Sequence, residues 1–239
     1  MTKRWPGART SGVARTRLID DMLARMLRDG VNQVAIMGAG FDSRAYRIPG
    51  IEHARVFEID HPDTLAAKRE LVQQMLGGVP SRVVFVEIDF NRQSLKEVLK
   101  AAGFDAKLRT FFIWEGVTNY LTEEAVSATL RFVSATVAGS QIVFTYVHRG
   151  VLENPASFEG TRALARTLQR LDEPWTFGLD PAELPGYLKG CGLGLIEDLG
   201  SVEYRTRYMG SQRRHLKGYE FYRAALAQVN DAKSPDVRA

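Results

Sequence analysis

The chain carries a single cysteine, Cys191, among its 239 residues. One thiol cannot close an internal disulfide, and it excludes any zinc site built on a cysteine cluster. No other metal site is expected. Its place between Gly190 and Gly192 fits a small residue entering a strand better than a nucleophile. No apolar run reaches membrane-spanning length, and no signal-peptide core stands near the start. A soluble, cytoplasmic protein with no membrane partner is expected. Internal repeats and low-complexity stretches are also missing, and only residues 231–239 read as a disordered tail. Acid is missing from the front: Lys3, Arg4, Arg9, Arg15 and Arg17 all precede Asp20, while the whole chain nets only +4. Charge beyond that arm is therefore close to balanced. An acid-free, Arg-rich start resembles a transit peptide, yet Arg15 has another use described below. A second basic cluster holds Arg205, Arg207, Arg213, Arg214, His215 and Lys217. Nucleic-acid binding wants such charge on one face with stacking aromatics. A solvated surface is the simpler reading, and no nucleic-acid partner is expected.

With 45% hydrophobic residues, the chain can build one large core, so residues 1–230 are read as a single domain. Its centre is Val34-Ala35-Ile36-Met37 running straight into Gly38-Ala39-Gly40. A short apolar run bounded by glycine reads as a strand buried on both faces. Glycine there lets the backbone turn tightly and approach a ligand. Around it, strands are expected at residues 33–37, 55–60, 83–89, 109–114, 141–147 and 192–199. Helices are expected at residues 12–29, 63–76, 94–102, 123–137 and 180–189, with Pro62, Thr122 and Asp180 placed to start three of them. The alternation predicts an α/β protein with a mostly parallel sheet and right-handed crossovers. Residues 148–178 break the rhythm and read as an insertion over the sheet, with a helix at 157–171. Residues 219–229 are ambiguous, since alanine favours helix and aromatics favour strand.

Ligands of open parallel sheets bind beyond the carboxyl ends of the strands. There the chain places Asp42 in the glycine loop, Glu58 and Asp60 on the second strand, Asp89 on the third and Glu115 after the fourth. An acid about 20 residues past the loop can hold the ribose of an adenosine cofactor. That admits a nicotinamide dinucleotide or S-adenosylmethionine. Ser43 replaces the third glycine of GxGxxG, and the stretch after it is short. Asp42 would also repel a pyrophosphate, while Asp89 and Glu115 suit a cationic ligand. These features favour S-adenosylmethionine. Just beyond the fourth and fifth strands, Asn119, Tyr120, Tyr146, His148 and Arg149 are candidates for the substrate side, with Tyr120 and His148 the candidate catalytic pair.

Several strings extend this picture: Ala14-Arg15-Thr16 with Asp20-Asp21, GAGFDSRAYR at residues 38–47 and FEIDHP at 57–62. EIDF at 87–90, WEGVTNYL at 114–121, EPWTFG at 173–178 and GYEFYRAALA at 218–227 follow. Together they resemble the leucine carboxyl methyltransferase-like group of class I S-adenosylmethionine-dependent methyltransferases. The resemblance implies a Rossmann-like fold with seven strands, helices on both faces and a lid after the fifth strand. Its last strand would be antiparallel and formed by the final aromatic stretch. It further implies that Gly38, Ala39 and Gly40, with Asp42, lie against the methionine part of the cofactor. Asp60 and Glu58 would hold the ribose, Asp89 and Phe90 the adenine. Glu115 would receive the ammonium and Arg15 the carboxylate. The implied reaction is attack of an oxygen nucleophile on the sulfonium methyl. The acceptor would be a small-molecule carboxylate, giving a methyl ester, or else a hydroxyl. Longer members carry more helix before the Ala-Arg-Thr motif, so a less complete lid is expected here. A non-catalytic cofactor sensor and a nicotinamide-dependent oxidoreductase stay open, as does the oligomeric state.

Overall fold

All five residues of β1 (Gln33–Met37) are buried, as are those of β4 (Thr110–Trp114). Such strands can only sit mid-sheet with both faces covered. β2 (Arg55–Asp60) pairs with β1, and β3 (Val83–Glu87) pairs with β2. On the other side β4 pairs with β1 and β5 (Gln141–Val147) with β4, all parallel. β7 (Tyr222–Val229) runs antiparallel between β5 and β6 (Leu193–Gly200). The order is β3-β2-β1-β4-β5-β7-β6, so the topological switch lies between β1 and β4. This computed structural model describes residues 8–90, 92–159, 161–170, 174–210 and 219–230. The tail expected at 231–239 and the basic residues Arg213, Arg214, His215 and Lys217 lie outside that range.

Strand alternation splits the core into two layers. Ala35, Met37, Phe57, Ile59, Phe112 and Trp114 face one way, against apolar residues of α4 (Leu95–Ala101), α5 (Glu123–Ser134) and α8 (Leu184–Gly190). Val34, Ile36, Val56, Phe111 and Ile113 face the other, against Leu18, Ile19, Met22 and Leu23 of α1 (Ala8–Arg28). α3 (Pro62–Leu76) opens as expected: His61 caps it by accepting from the Asp63 N–H, and Pro62 fills the first position. Thr122 likewise caps α5, its hydroxyl accepting from Ala125 N–H at 3.3 Å. The stretch after the glycine loop is only a four-residue helix, α2 (Arg44–Arg47).

Three elements depart from expectation. Helix α8 begins at Leu184, because Asp180 Oδ1 accepts from Ala182 N–H (2.9 Å) and makes a separate turn first. Among the described residues of the insertion, α7 (Thr161–Arg170) lies inside the helix expected at 157–171, and a short helix that was not expected, α6 (Gly150–Glu153), precedes it. Arg205 and Arg207, read as part of a solvated basic cluster, lie on a helix that was not expected, α9 (Ser201–Met209), packed on α1. Tyr204 is fully buried there, Arg205 is buried too, and Arg207 pairs with Glu197 at 2.8 Å. No helix among the described residues is long and apolar enough to cross a membrane.

Candidate functional site

The glycine loop is held by the neighbouring strand. Gly38 and Ala39 N–H both donate to Ile59 O (2.8 and 3.0 Å), which fixes the turn directly beside the end of β2. Gly38 has φ +68°, and a Cβ there would lie 2.2 Å from Val117 Cγ2, so only glycine fits. Gly40 has φ +41° with nothing within 4 Å of a Cβ position, which leaves an open cradle. Its N–H donates to Asp60 Oδ2 (2.7 Å), while Asp60 Oδ1 accepts from His61 N–H (2.6 Å). Ile88 N–H donates to Asp60 O (3.0 Å), which brings Asp89 and half-buried Phe90 alongside. Asp60, Asp89 and Phe90 thus stand together at the ends of β2 and β3.

Across the switch point, Glu115 follows β4. Arg15 Nε donates to Glu115 Oε1 (2.7 Å), and Arg44 Nη1 lies 2.8 Å from Oε2. Burial works against this charge, but the guanidinium groups of Arg15 and Arg44 outweigh it and hold the Glu115 carboxyl below the usual carboxylate range. The Arg15 guanidinium also lies over the Tyr222 ring, 4.8 Å from its centroid. Asp42 is committed to Arg44, accepting from its backbone N–H (2.7 Å) and its side chain. Arg15, Asp42, Arg44 and Glu115 line one cleft with Gly38, Ala39 and Gly40, and Phe41, 65% exposed, stands on its rim. Arg15 and Glu115, assigned separate tasks on a ligand by resemblance, are brought together as a pair.

Glu58 is a correction. It lies on the same face as Asp60, as alternation requires, but two residues deeper, about 6.6 Å along the strand. There it is fully buried, paired with Lys68 Nζ (2.9 Å) and accepting from Tyr46 Oη (2.9 Å). Lys68 also donates to Ala39 O at 3.3 Å. Glu58 therefore supports the loop from beneath and does not reach the cleft.

The substrate-side candidates separate as well. Asn119 is buried, and its Oδ1 lies 3.5 Å from the Tyr222 hydroxyl that donates to it. Tyr120 is 43% exposed. Tyr146 is fully buried, donating to Asp198 Oδ2 (2.9 Å) and accepting from Arg223 Nε (3.1 Å), so it has no surface to offer a substrate. Arg149 points outward and pairs with Glu183 at 2.5 Å. His148 accepts from Gly150 N–H through Nδ1 (3.0 Å) and packs its ring on Phe158. A neutral imidazole has one acceptor nitrogen. With Nδ1 so used, that nitrogen is not open to take a proton from a substrate. Sequence reasoning missed Arg44 and Tyr222, both inside quoted motifs, because a buried ion pair and a stacked ring leave no local pattern. The insertion is stitched to the site: Thr176 N–H donates to Asn119 O and its hydroxyl to Leu121 O, both at 2.8 Å. Beyond it, Phe158 and Trp175 pack on Val147, Val151, Phe221 and Tyr222.

The strand order, with its antiparallel β7 and a cleft at the β1–β4 switch, defines a Rossmann-like fold of the class I methyltransferase type. A more particular assignment comes from sequence: the chain belongs to the leucine carboxyl methyltransferase family, whose profile matches residues 1–134. A Streptomyces coelicolor protein, provisionally named an S-adenosyl-L-methionine-dependent methyltransferase, is 36% identical over 171 residues, or 70% of this chain and 60% of its own. A Frankia alni protein with the same provisional name is 34% identical over 191 residues, covering 80% and 64%. The chain thus spans less than two thirds of either relative. A DUF574 family crystal structure from Streptomyces avermitilis superposes with TM-score 0.66 at 17% identity, over 95% of this chain and 87% of that one. Magnesium protoporphyrin IX methyltransferase from Synechocystis, solved with bound S-adenosylhomocysteine, gives 0.55 at 14% identity over 92% and 85%. These two likenesses describe the fold.

The donor set fits S-adenosylmethionine. An open glycine cradle adjoins a carboxylate and a guanidinium, the partners that an ammonium and a carboxylate require. It does not suit a pyrophosphate, because α2 has four residues and too little macrodipole to bind one.

Proposed function

We propose that this chain is an S-adenosylmethionine-dependent O-methyltransferase acting on the carboxylate of a small molecule. The observation that carries the cofactor reading is the Arg15–Glu115 pair beside the Gly38–Gly40 cradle. In this reading Arg15 and Glu115 hold the amino-acid end of the cofactor. Asp60 takes the ribose hydroxyls, and Asp89 with Phe90 flanks the adenine. Bound S-adenosylmethionine supplies a methyl group already activated on its sulfonium. The protein then has to orient an acceptor oxygen and exclude water, which oriented binding and a closed site achieve. Of the substrate-side candidates, Tyr120, 43% exposed, is the one with surface to meet that acceptor.

The acceptor class follows from protons. A carboxylic acid is ionised at neutral pH and needs no base, whereas a phenol near pKa 10 gains from one. Of the catalytic candidates His148 is the one with an imidazole that could serve as such a base, and its Nδ1 is occupied by the Gly150 N–H. That supports a carboxylate acceptor and a methyl ester product.

Calorimetric titration tests the cofactor: S-adenosylmethionine and S-adenosylhomocysteine bind, and NAD binds poorly. Tight NAD binding with no heat from the other two overturns the reading. Turnover tests the acceptor. An alkali-labile product, formed at nearly unchanged rate by His148→Ala, is the expected result. A stable methyl ether, or a loss of about a hundredfold in that variant, points to a base-dependent hydroxyl instead.

A further inference from the structure

Arg44 opens α2 and is almost completely buried, with a side chain 3% exposed. Its Nε donates to Asp20 Oδ1 in α1 (2.8 Å), and its Nη1 reaches both Asp42 in the glycine loop and Glu115 Oε2 after β4 (2.8 Å). One guanidinium therefore joins three carboxylates from three separate segments. Arg47 adds a fork on Asp20, with Nη1–Oδ2 at 2.7 Å and Nη2–Oδ1 at 2.9 Å. Arg15 completes the cluster on Glu115. Three cations meet three anions, so a ligand end bearing one ammonium and one carboxylate enters without changing the net charge.

The two cations on Glu115 are not equivalent. Arg44 is held more firmly, because its own guanidinium is buried and leaving would strip it of Asp42, Asp20 and Glu115 together, and a buried charge without its partners is strongly unfavourable. Arg15 donates to Glu115 through Nε and has a side chain 22% exposed, backed by the Tyr222 ring. Carboxylate oxygens each accept more than one bond. Glu115 can therefore stay fixed through Oε2 while Oε1 meets a new donor.

We propose that Arg44 is the positioning residue of the cofactor site: it locks Glu115 in place through Oε2, so that Arg15 is free to turn from Glu115 to the ligand carboxylate. This rests on the cofactor reading above. The guanidinium fork is essential to it, since a lysine ammonium is a point charge that cannot span Asp20, Asp42 and Glu115 at once.

The test compares two ligands on wild type and Arg44→Lys, which keeps the buried charge and removes the fork. S-adenosylhomocysteine carries the amino-acid end, and methylthioadenosine retains the adenosine and thioether without it. Arg44→Lys should weaken S-adenosylhomocysteine by about tenfold or more, the scale of a lost charge-assisted hydrogen bond, and methylthioadenosine by less than about twofold. A purely structural role predicts equal losses for both ligands, or loss of both together, and either result overturns the proposal. Unchanged binding of both also overturns it. Failure of the wild-type chain to bind either ligand is a different outcome, and it removes the cofactor reading itself.

Discussion

Glu115→Gln should reduce S-adenosylmethionine binding by about 3 kcal/mol, more than a hundredfold, the upper range for a lost charge-assisted hydrogen bond. The substitution keeps the shape of the side chain and removes its charge. Arg15 and Arg44 then face each other without the anion that each now contacts within 2.8 Å. An ammonium arriving there meets Arg15 and Arg44 without the carboxylate that would receive it, since Asp20 and Asp42 are already held by Arg44. Arg15→Ala should cost less, about 2 kcal/mol, because Arg44 still holds Glu115 for the ammonium. Titration calorimetry on both variants gives the order. If Arg15→Ala proves the more damaging, Glu115 is not the main holder of the ammonium, and the assignment of the amino-acid end to this pair fails.

Lys68→Met should lower the stability of the fold by about 3–5 kcal/mol, the usual result of removing one partner of a buried pair. Lys68 and Glu58 are 3% and 0% exposed, 2.9 Å apart, and Tyr46 is the remaining donor to the carboxylate. Burial already pushes the Glu58 carboxyl above the ordinary range even with Lys68 beside it. Without the lysine it rises further in the folded state. A carboxyl whose folded pKa lies above its unfolded value costs stability as the pH rises past the unfolded value. The penalty should therefore shrink as the pH is lowered toward about 5. Urea midpoints at two pH values measure this, and Glu58→Gln in the Lys68→Met background should restore much of the loss. A pH-independent loss that the second substitution does not relieve would assign Lys68 to the Ala39 carbonyl contact alone. The loop would then depend on that single hydrogen bond.

Much of the architecture was legible because the signals are local. Four consecutive apolar residues ending in Gly38-Ala39-Gly40 define a buried central strand whatever surrounds them. Thr122 and Pro62 mark helix starts through groups that act within one turn. The acids at strand ends were visible as a series, and Asp60, Asp89 and Glu115 do stand at the carboxyl edge of the sheet. Helix α9 escaped because Tyr204 is its one fully buried aromatic among charged neighbours, too little for a periodic signal.

Chain order by itself determined the α/β class, the site of the glycine loop and which strand ends carry acid. Only the tertiary structure decided which partner each of those acids meets. Glu58 and Asp60 are two residues apart on one strand face, yet depth separates them, so one pairs with Lys68 and the other closes on Gly40. Arg15 and Glu115 are a hundred positions apart and meet through the packing of α1 against the sheet. Arg44 binds segments that begin at Asp20 and end at Glu115. His148, a catalytic candidate by position, accepts from the Gly150 N–H through Nδ1. Depth in a strand, partners distant in sequence and the occupancy of a lone pair are three-dimensional quantities, and no spacing rule along the chain encodes them.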